Sequence, residues 1–489
     1  MERTVAEKKQ GIAVSAALNI VRQAAMIAFP LITYSYATRV LGAAQIGVYE
    51  FAQSIVSYFA LLAALGVVNY AVRDGAKYKA EGSDSLDRFA SEVFSINLIM
   101  TIFSYVLMVV ILQLSSHMQG YKTAIMIASL SILFTTLGVD WINSLFEDYM
   151  YLTIRYIAIQ LFALVLLFLL VKKPEDLYVY IFISILATVL NGILNFFYVR
   201  RYAKIRFTFA LNLKAHALSV FILFCNQIAL VIYLNSDITI LNILTDDTSV
   251  GLYGVAAKIY TMIKTLLNAA IFVVIPRFSE YVLNGDSRFV TGLKKLLSLL
   301  FTILLPACVG LYFLAGDAVK IVAGDAFAGA EAPLKVLAVA LLFAVLACYF
   351  ANAIVMPVKQ EKYFLVATVS AAVLNIVLNF VMIPRMGMIA AAITTLAAEV
   401  LVFIILTAVA AKYVKLKDIV EFRDVLSSVA GSIVVARICI RGREICDNLG
   451  VPMYADTILI VAVALVVYIL ILLACGNSLK GYLNSIKGT

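Results

Sequence analysis

Apolar residues run in long blocks along this chain, separated by short polar stretches. The blocks cover roughly residues 11–35, 44–70, 89–114, 121–144, 152–171, 176–199, 215–243, 251–275, 292–315, 332–354, 361–383, 387–411, 423–440 and 455–475. Most are near or above the ~20 residues that a helix needs to cross the hydrocarbon of a bilayer. Helix is also the open-ended structure that satisfies its own backbone hydrogen bonds in lipid. The pattern predicts an all-α polytopic membrane protein with about 14 transmembrane helices. The first block carries Asn19 and Arg22 and lacks a small-residue cleavage site, which sets it apart from a cleaved signal.

Two phrases repeat. GVYEFAQSIV at 47–56 and GLYGVAAKIY at 251–260 are offset by 204 residues, and each begins the second span of one half. The repeat predicts a six-helix lobe at 1–210, a second at 211–415, and two additional transmembrane helices in 416–489. Internal repeats around a site at mid-membrane are a transporter architecture. A second echo, VLNGILNF at 189–196 and VLNIVLNF at 373–380, is offset by 184 and so belongs to a different register. Its Asn191, Asn195, Asn375 and Asn379 stand at i and i+4, where each pair can hydrogen-bond to a neighbouring helix.

Composition sharpens the class. Of 489 residues, 64% are hydrophobic and 14% charged, with a mean hydropathy of +1.01. A soluble fold has too little buried volume for that much apolar surface, and the loops leave no room for a sizeable soluble domain. The six cysteines form no CxxC and read as small buried hydrophobes rather than a disulfide or metal framework. His117 and His216 lie far apart near predicted helix ends and read as interfacial residues. The net charge of +9 is explained by where it lies rather than by nucleic acid. Basic residues gather at the amino terminus and in the 71–88 loop. More lie in RRYAKIR at 200–206, in 277–295, in KYVKLK at 412–417 and at the carboxyl terminus. That side holds about 25 Lys and Arg against about 10 on the other, and positive loops stay cytoplasmic. Both termini are therefore expected in the cytoplasm, with an even number of spans.

Polar residues inside the spans are costly unless they face a partner or water. Here they form helical stripes. Ser15, Asn19 and Arg22, with Gln23 beside them, mark the first span, where Pro30 is expected to kink the helix. Glu50, Gln53, Ser54 and Ser57 mark the second; Thr136, Asp140, Asn143 and Glu147 the fourth. Asn226, Tyr233 and Asp237 mark the seventh, and Gly254, Lys258, Thr261, Thr265 and Asn268 the eighth, with Lys264 on an adjacent face. Such walls imply a hydrated cavity between the lobes. Arg22, Lys258 and Lys264 are the candidate cations for an anionic headgroup, because Arg offers phosphate a bidentate fork and Lys a point charge. Asn19, Gln23, Glu50, Gln53, Thr261, Thr265 and Asn268 are the candidate cavity-lining polar groups. Glu50, Asp140, Asp237 and Glu399 are candidate ion- or proton-coupling carboxylates, with Asp140, Glu147 and Asp237 placed near helix ends. For each charge the alternative is a structural ion pair that only offsets its own desolvation, and Glu50 with Lys258 is the natural pair if their helices face each other.

No GxxxxGK[ST] phosphate loop, no HExxH and no nucleophile–base pair occurs. No metal site and no cofactor is expected, and an enzymatic role is not expected.

The string FPLITYSYATRVLGAAQIGVYEFAQSIVSYFALLAALGVVNYAVRDGA at 29–76 resembles the first two spans of bacterial polysaccharide repeat-unit flippases of the Wzx type. VDWINSLFEDYMYLTIR at 139–155 resembles that family's fourth-to-fifth span junction, and LNIVLNFVMIPRMGMIAAAITTLAAE at 374–399 its eleventh and twelfth spans. The family belongs to the multidrug/oligosaccharidyl-lipid/polysaccharide exporter superfamily. The resemblance implies two six-helix bundles with a central cavity, two appended helices, and alternating access. It also implies a substrate, polyprenyl diphosphate-linked oligosaccharide, in a bacterial inner or plasma membrane. Arg22, Lys258 and Lys264 match the general placement of the family's cavity cations. A polysaccharide polymerase and chain-length machinery are candidate partners, and a monomer is expected. Two other readings from the same superfamily stay open: a peptidoglycan lipid-precursor flippase, and a multidrug or organic-ion antiporter.

Overall fold

In the computed structural model, residues 12–209, 213–449 and 452–477 are described. Both chain termini, and with them the expected cytoplasmic placement, lie outside the described residues. The chain forms two compact units, residues 1–231 and 232–489. Among the described residues the secondary structure is helical throughout, without strands.

The first unit opens with α1 (Ile12–Ala64), whose helical path breaks at Gly42 (φ 78°, ψ 173°). Glycine adopts that conformation without the penalty a Cβ would bring. Pro30, expected to kink the helix, sits inside α1 without interrupting it. After α1, the amphipathic α2 (Val67–Glu81) turns at Gly82, with φ 124°, into α3 (Ser83–Leu114). The short α4 (Ser116–Gln119), α5 (Lys122–Gly138), α6 (Trp141–Leu145), α7 (Tyr149–Leu170) and α8 (Leu177–Tyr198) follow. Helices α5 and α8 meet at Gly192, where a Cβ would collide with the Phe134 carbonyl oxygen. Small residues permit such close approach between membrane helices. Around Trp141, the buried Tyr70, Phe89, Val93 and Ile142 form a core joining α2, α3 and α6.

Helix α9 (Leu213–Leu244) leads into the second unit. There α10 (Asp247–Leu283) starts at Asp246, whose carboxylate accepts from the Ser249 amide at 2.7 Å. This N-cap satisfies one of the donors that a helix start leaves open. Next come α11 (Arg288–Phe313), α12 (Ala315–Ala323) and α13 (Glu331–Tyr349), the last running on into a π-helical turn, Phe350–Val355. Helix α14 (Glu361–Met386) and α15 (Met388–Ala410) are joined at Gly387, which has φ 58°. Buried alanines (Ala338, Ala344, Ala391, Ala398) line the tight packing of α13 and α15. After the short α16 (Leu416–Ile419), α17 (Phe422–Leu449) and α18 (Met453–Ala474) pair as an antiparallel hairpin.

Twelve helical stretches among the described residues are long and apolar enough to cross a membrane. The expected fourteen are consistent with these twelve. One stretch, Ala28–Ala64, contains the Gly42 break, and Leu230–Leu244 of α9 is a further, shorter apolar helix. The protein is an all-α, multi-pass membrane protein.

Candidate functional site

The densest polar chemistry in the second unit lies where α9, α10, α14 and α15 meet. Asp237 on α9 is 7% exposed. Its Oδ1 accepts from Asn375 Nδ2 at 2.8 Å and from Asn379 Nδ2 at 2.7 Å. Its Oδ2 accepts from the hydroxyls of Tyr253, at 2.7 Å, and Thr395. Thr394 donates to Asn379 Oδ1 at 2.6 Å, and Ser236 to Asn375 Oδ1 at 2.8 Å, so the donors themselves are held in place. Among the described residues no basic side chain pairs with Asp237. Four neutral donors carry a buried carboxylate, each worth roughly 1.5–3 kcal/mol to a charged acceptor. The sequence puts Asp237 near a helix end, where exposure is cheap; the fold instead places it inside this bundle.

One turn further along, Glu399 on α15 is also buried, 4% exposed. Lys264 Nζ reaches Glu399 Oε1 at 2.6 Å, and Tyr260 donates to the same oxygen at 2.9 Å. The Lys264 side chain is 22% exposed against 5% for Glu399, so the lysine is the less buried partner of the pair. Thr395 and Glu399 stand at i and i+4 on α15 and so project from one face. Tyr233, one turn before Asp237, lies close to both carboxylates.

The rest of the eighth-span stripe is more open. Thr261 and Thr265 are exposed, Lys258 is half-buried, and Asn268 is buried with its Oδ1 lacking a hydrogen bond. Of the candidate cations, Lys264 is held by a carboxylate. The side chains of Asn19, Arg22 and Gln23 lie outside the described residues. Glu50 and Lys258, the natural ion pair in the sequence, belong to different units.

The first unit holds a network of the opposite sign. Arg155 on α7 is buried at 7% exposure. Its Nε donates to Asn191 Oδ1 at 2.7 Å, a second nitrogen donates to Asn195 Oδ1, and a third meets Asp140 Oδ1 at 3.0 Å. Asn195 in turn donates to the Gly138 carbonyl at 2.6 Å and to Asn143 Oδ1 at 2.7 Å. The guanidinium thus spends three of its donors in one planar fork. Asp140 is 59% exposed on its outer side, and the group borders a cavity of about 270 Å³. Glu50 sits elsewhere in the same unit, beside the phenols Tyr34 and Tyr180, half-buried and with Oε1 making no hydrogen bond. Gln53 is half-buried one turn on.

Both asparagine pairs therefore do what their i, i+4 spacing suggests, but around ions of opposite charge. Asn191 and Asn195 turn carbonyls to Arg155; Asn375 and Asn379 turn amides to Asp237. Arg155, Tyr253, Tyr260, Thr394 and Thr395 are site residues that the sequence reading misses. Arg155 does carry a signal, as a lone cation early in an otherwise apolar span.

The polysaccharide biosynthesis protein family matches residues 10–282, more than half of the chain. The chain belongs to this family. Membership agrees with the resemblance drawn from residues 29–76 and 139–155. A candidate O-antigen transporter of Escherichia coli (strain K12) is 25% identical over 380 residues, spanning 76% of this chain and 90% of that one. In fold, the chain is similar to the lipid II flippase MurJ in its inward closed conformation (TM-score 0.71, 17% identity, 94% of this chain and 98% of that one). It is also similar to an inward-facing multidrug resistance MATE transporter of the MOP superfamily (TM-score 0.61, 16% identity, 81% and 97%). Family and fold agree on a helical membrane protein.

Proposed function

We propose that the protein is a flippase for surface polysaccharide biosynthesis. It carries polyprenyl diphosphate-linked oligosaccharide repeat units from the cytoplasmic to the outer leaflet of the bacterial inner or plasma membrane, by alternating access. Membership of the polysaccharide biosynthesis family carries this reading, and the O-antigen transporter relative supports it. In this reading the lobes are 1–210 and 211–415, the segment 416–489 is appended, and both termini are cytoplasmic. The protein transports rather than reacts.

Arg22, Lys258 and Lys264 hold the diphosphate. The Lys264–Glu399 contact gives that role a condition: a diphosphate competes with Glu399 for the ammonium, so loading the site and freeing the carboxylate occur together. Glu399 and Asp237 are then the coupling carboxylates, one tied to the substrate cation and one saturated by neutral donors. Glu50, with an unsatisfied buried oxygen, is the coupling candidate of the first unit.

The test is a strain lacking this gene with the sugar pathway intact. Lipid-linked oligosaccharide should accumulate on the cytoplasmic leaflet, shielded from an externally added glycan-modifying enzyme, and the intact gene should reverse this. No accumulation, with altered drug susceptibility instead, would overturn the reading.

A further inference from the structure

Helix α17 carries two arginines where a lipid-facing helix has no use for them. Its inner arc is buried: Ser428, Ser432, Val435, Cys439 and Cys446. The opposite arc is exposed and combines Leu426, Ile433 and Ile440 with Arg437, Arg441 and Glu444. Among the described residues, Arg437 and Arg441 make no hydrogen bond, ion pair or ring contact. The other two arginines of this helix are taken: Arg443 pairs with Asp317, and Arg423 donates to the Cys475 carbonyl oxygen.

The hairpin partner gives the depth. Helix α18 has 22 residues, about 33 Å at 1.5 Å per residue, which matches the ~30 Å of hydrocarbon in a bilayer. Two glycines fix the register of the pair. A Cβ on Gly431 would lie 2.7 Å from the Tyr468 ring, and one on Gly442 2.9 Å from Ile460. Interpolating between these contacts sets Arg437 level with about Ala464, the middle of α18. Arg441 lies one turn, about 6 Å, nearer the Leu449 end of α17. An exposed guanidinium is thus held at the middle of the membrane, on a face turned away from its own unit. Such a charge is costly in hydrocarbon unless something meets it.

Three occupants can be weighed. Lipid phosphates lie outside the hydrocarbon, about 15 Å from its middle, beyond what Arg437 reaches on its three-methylene stem, even by snorkelling. A second copy of this chain in the same orientation would set Arg437 against Arg437 at equal depth, a repulsive match. A transmembrane helix of another protein with a carboxylate at mid-depth satisfies both the height and the charge. We infer that the Arg437–Arg441 face of α17 docks a partner's transmembrane helix bearing an Asp or Glu at its centre. This inference stands apart from the transport reading.

The test uses the full chain in phosphatidylcholine liposomes and a labelled synthetic helix of about 20 leucines and alanines with one central Asp. Controls carry Leu or Lys at that position. Energy transfer should report association at least tenfold tighter for the Asp helix than for either control. Arg437→Leu should remove the preference, and Arg437→Lys should retain part of it. Because Arg437→Leu replaces a charge with an apolar group on an exposed arc of an otherwise apolar span, the variant should still insert and fold. Equal association of all three helices, or a preference that survives Arg437→Leu, would overturn the proposal. So would loss of the preference on adding phosphatidylglycerol, which would assign the face to lipid headgroups. Self-association of the chain that Arg437→Leu abolishes would assign it to a second copy and overturn it equally.

Discussion

Replacing Lys264 by methionine keeps the length of the side chain and removes the cation from Glu399. The carboxylate is 5% exposed in its side chain and would keep only the Tyr260 hydroxyl as donor to Oε1. Breaking one partner out of a buried pair costs about 3–5 kcal/mol, because the other charge is left uncompensated. The 22% exposure of Lys264 shows that the pair is not fully dry, so the low end applies. About 3 kcal/mol is more than a hundredfold in the folding equilibrium. Glu399→Gln should cost less, because a lysine on a flexible stem can turn its ammonium to water. The double change removes both charges and should recover most of the loss, since replacing a whole buried pair is often near neutral. Helix content followed through a dodecyl sulfate titration in mixed micelles supplies the four free energies of the cycle. Single changes each below about 0.5 kcal/mol that simply add would refute the assignment of this contact as a buried, coupled pair.

Other perturbations read other parts of the fold. Arg155→Leu strands the carbonyls of Asn191 and Asn195, at roughly 1–3 kcal/mol for each unsatisfied group. Thermal unfolding in detergent should fall accordingly, and Arg155→Lys should not restore it, lacking the planar fork. Gly192→Ala drives a methyl into the Phe134 carbonyl. It should cost at least the roughly 1–3 kcal/mol typical of overpacking, measured in the same assay, whereas Gly310→Ala, with open space around it, should be tolerated. In the loop before α11, the hydrogen bond from Arg288 holds the Asp286 carboxyl below its usual range. That contact is present above the ordinary carboxylate pKa and lost as pH falls through the lowered one. Asp286→Asn should therefore flatten the acid dependence of amide protection at Arg288, read by hydrogen exchange.

Much of this architecture is legible in the sequence because lipid leaves the backbone few options. Blocks near 20 apolar residues become helices with ends close to those expected, for instance 361–383 against Glu361–Met386 and 387–411 against Met388–Ala410. The break in α1 at Gly42 falls in the gap between the first two apolar blocks, 11–35 and 44–70, while Pro30 lies inside the helix; the residue that breaks the helix within that gap is not legible, because a glycine between apolar residues signals nothing until its φ is known. The candidate site is legible residue by residue but not as pairs. Asp237, Glu399 and Lys264 stand out because charge inside a span is costly. Their partners do not, because a tyrosine or threonine in a span is ordinary. Only the packing of α9, α10, α14 and α15 shows that Tyr253, Tyr260 and Thr395 converge on two carboxylates, with Thr394 holding Asn379. Arg155 is visible as a lone cation, but what it holds, two asparagines of α8, follows from tertiary contact.

The central claim is that this chain moves a lipid-linked glycan across a bilayer. Purified protein in liposomes loaded with polyprenyl diphosphate-oligosaccharide, challenged from outside by a glycan-modifying enzyme, tests it most directly. The account predicts that about half of the glycan is modified at once in protein-free liposomes, and that the inner half follows only when the protein is present, slowed by Lys264→Met. An inner half that stays protected with the intact protein, whatever ion gradient is imposed, would contradict it.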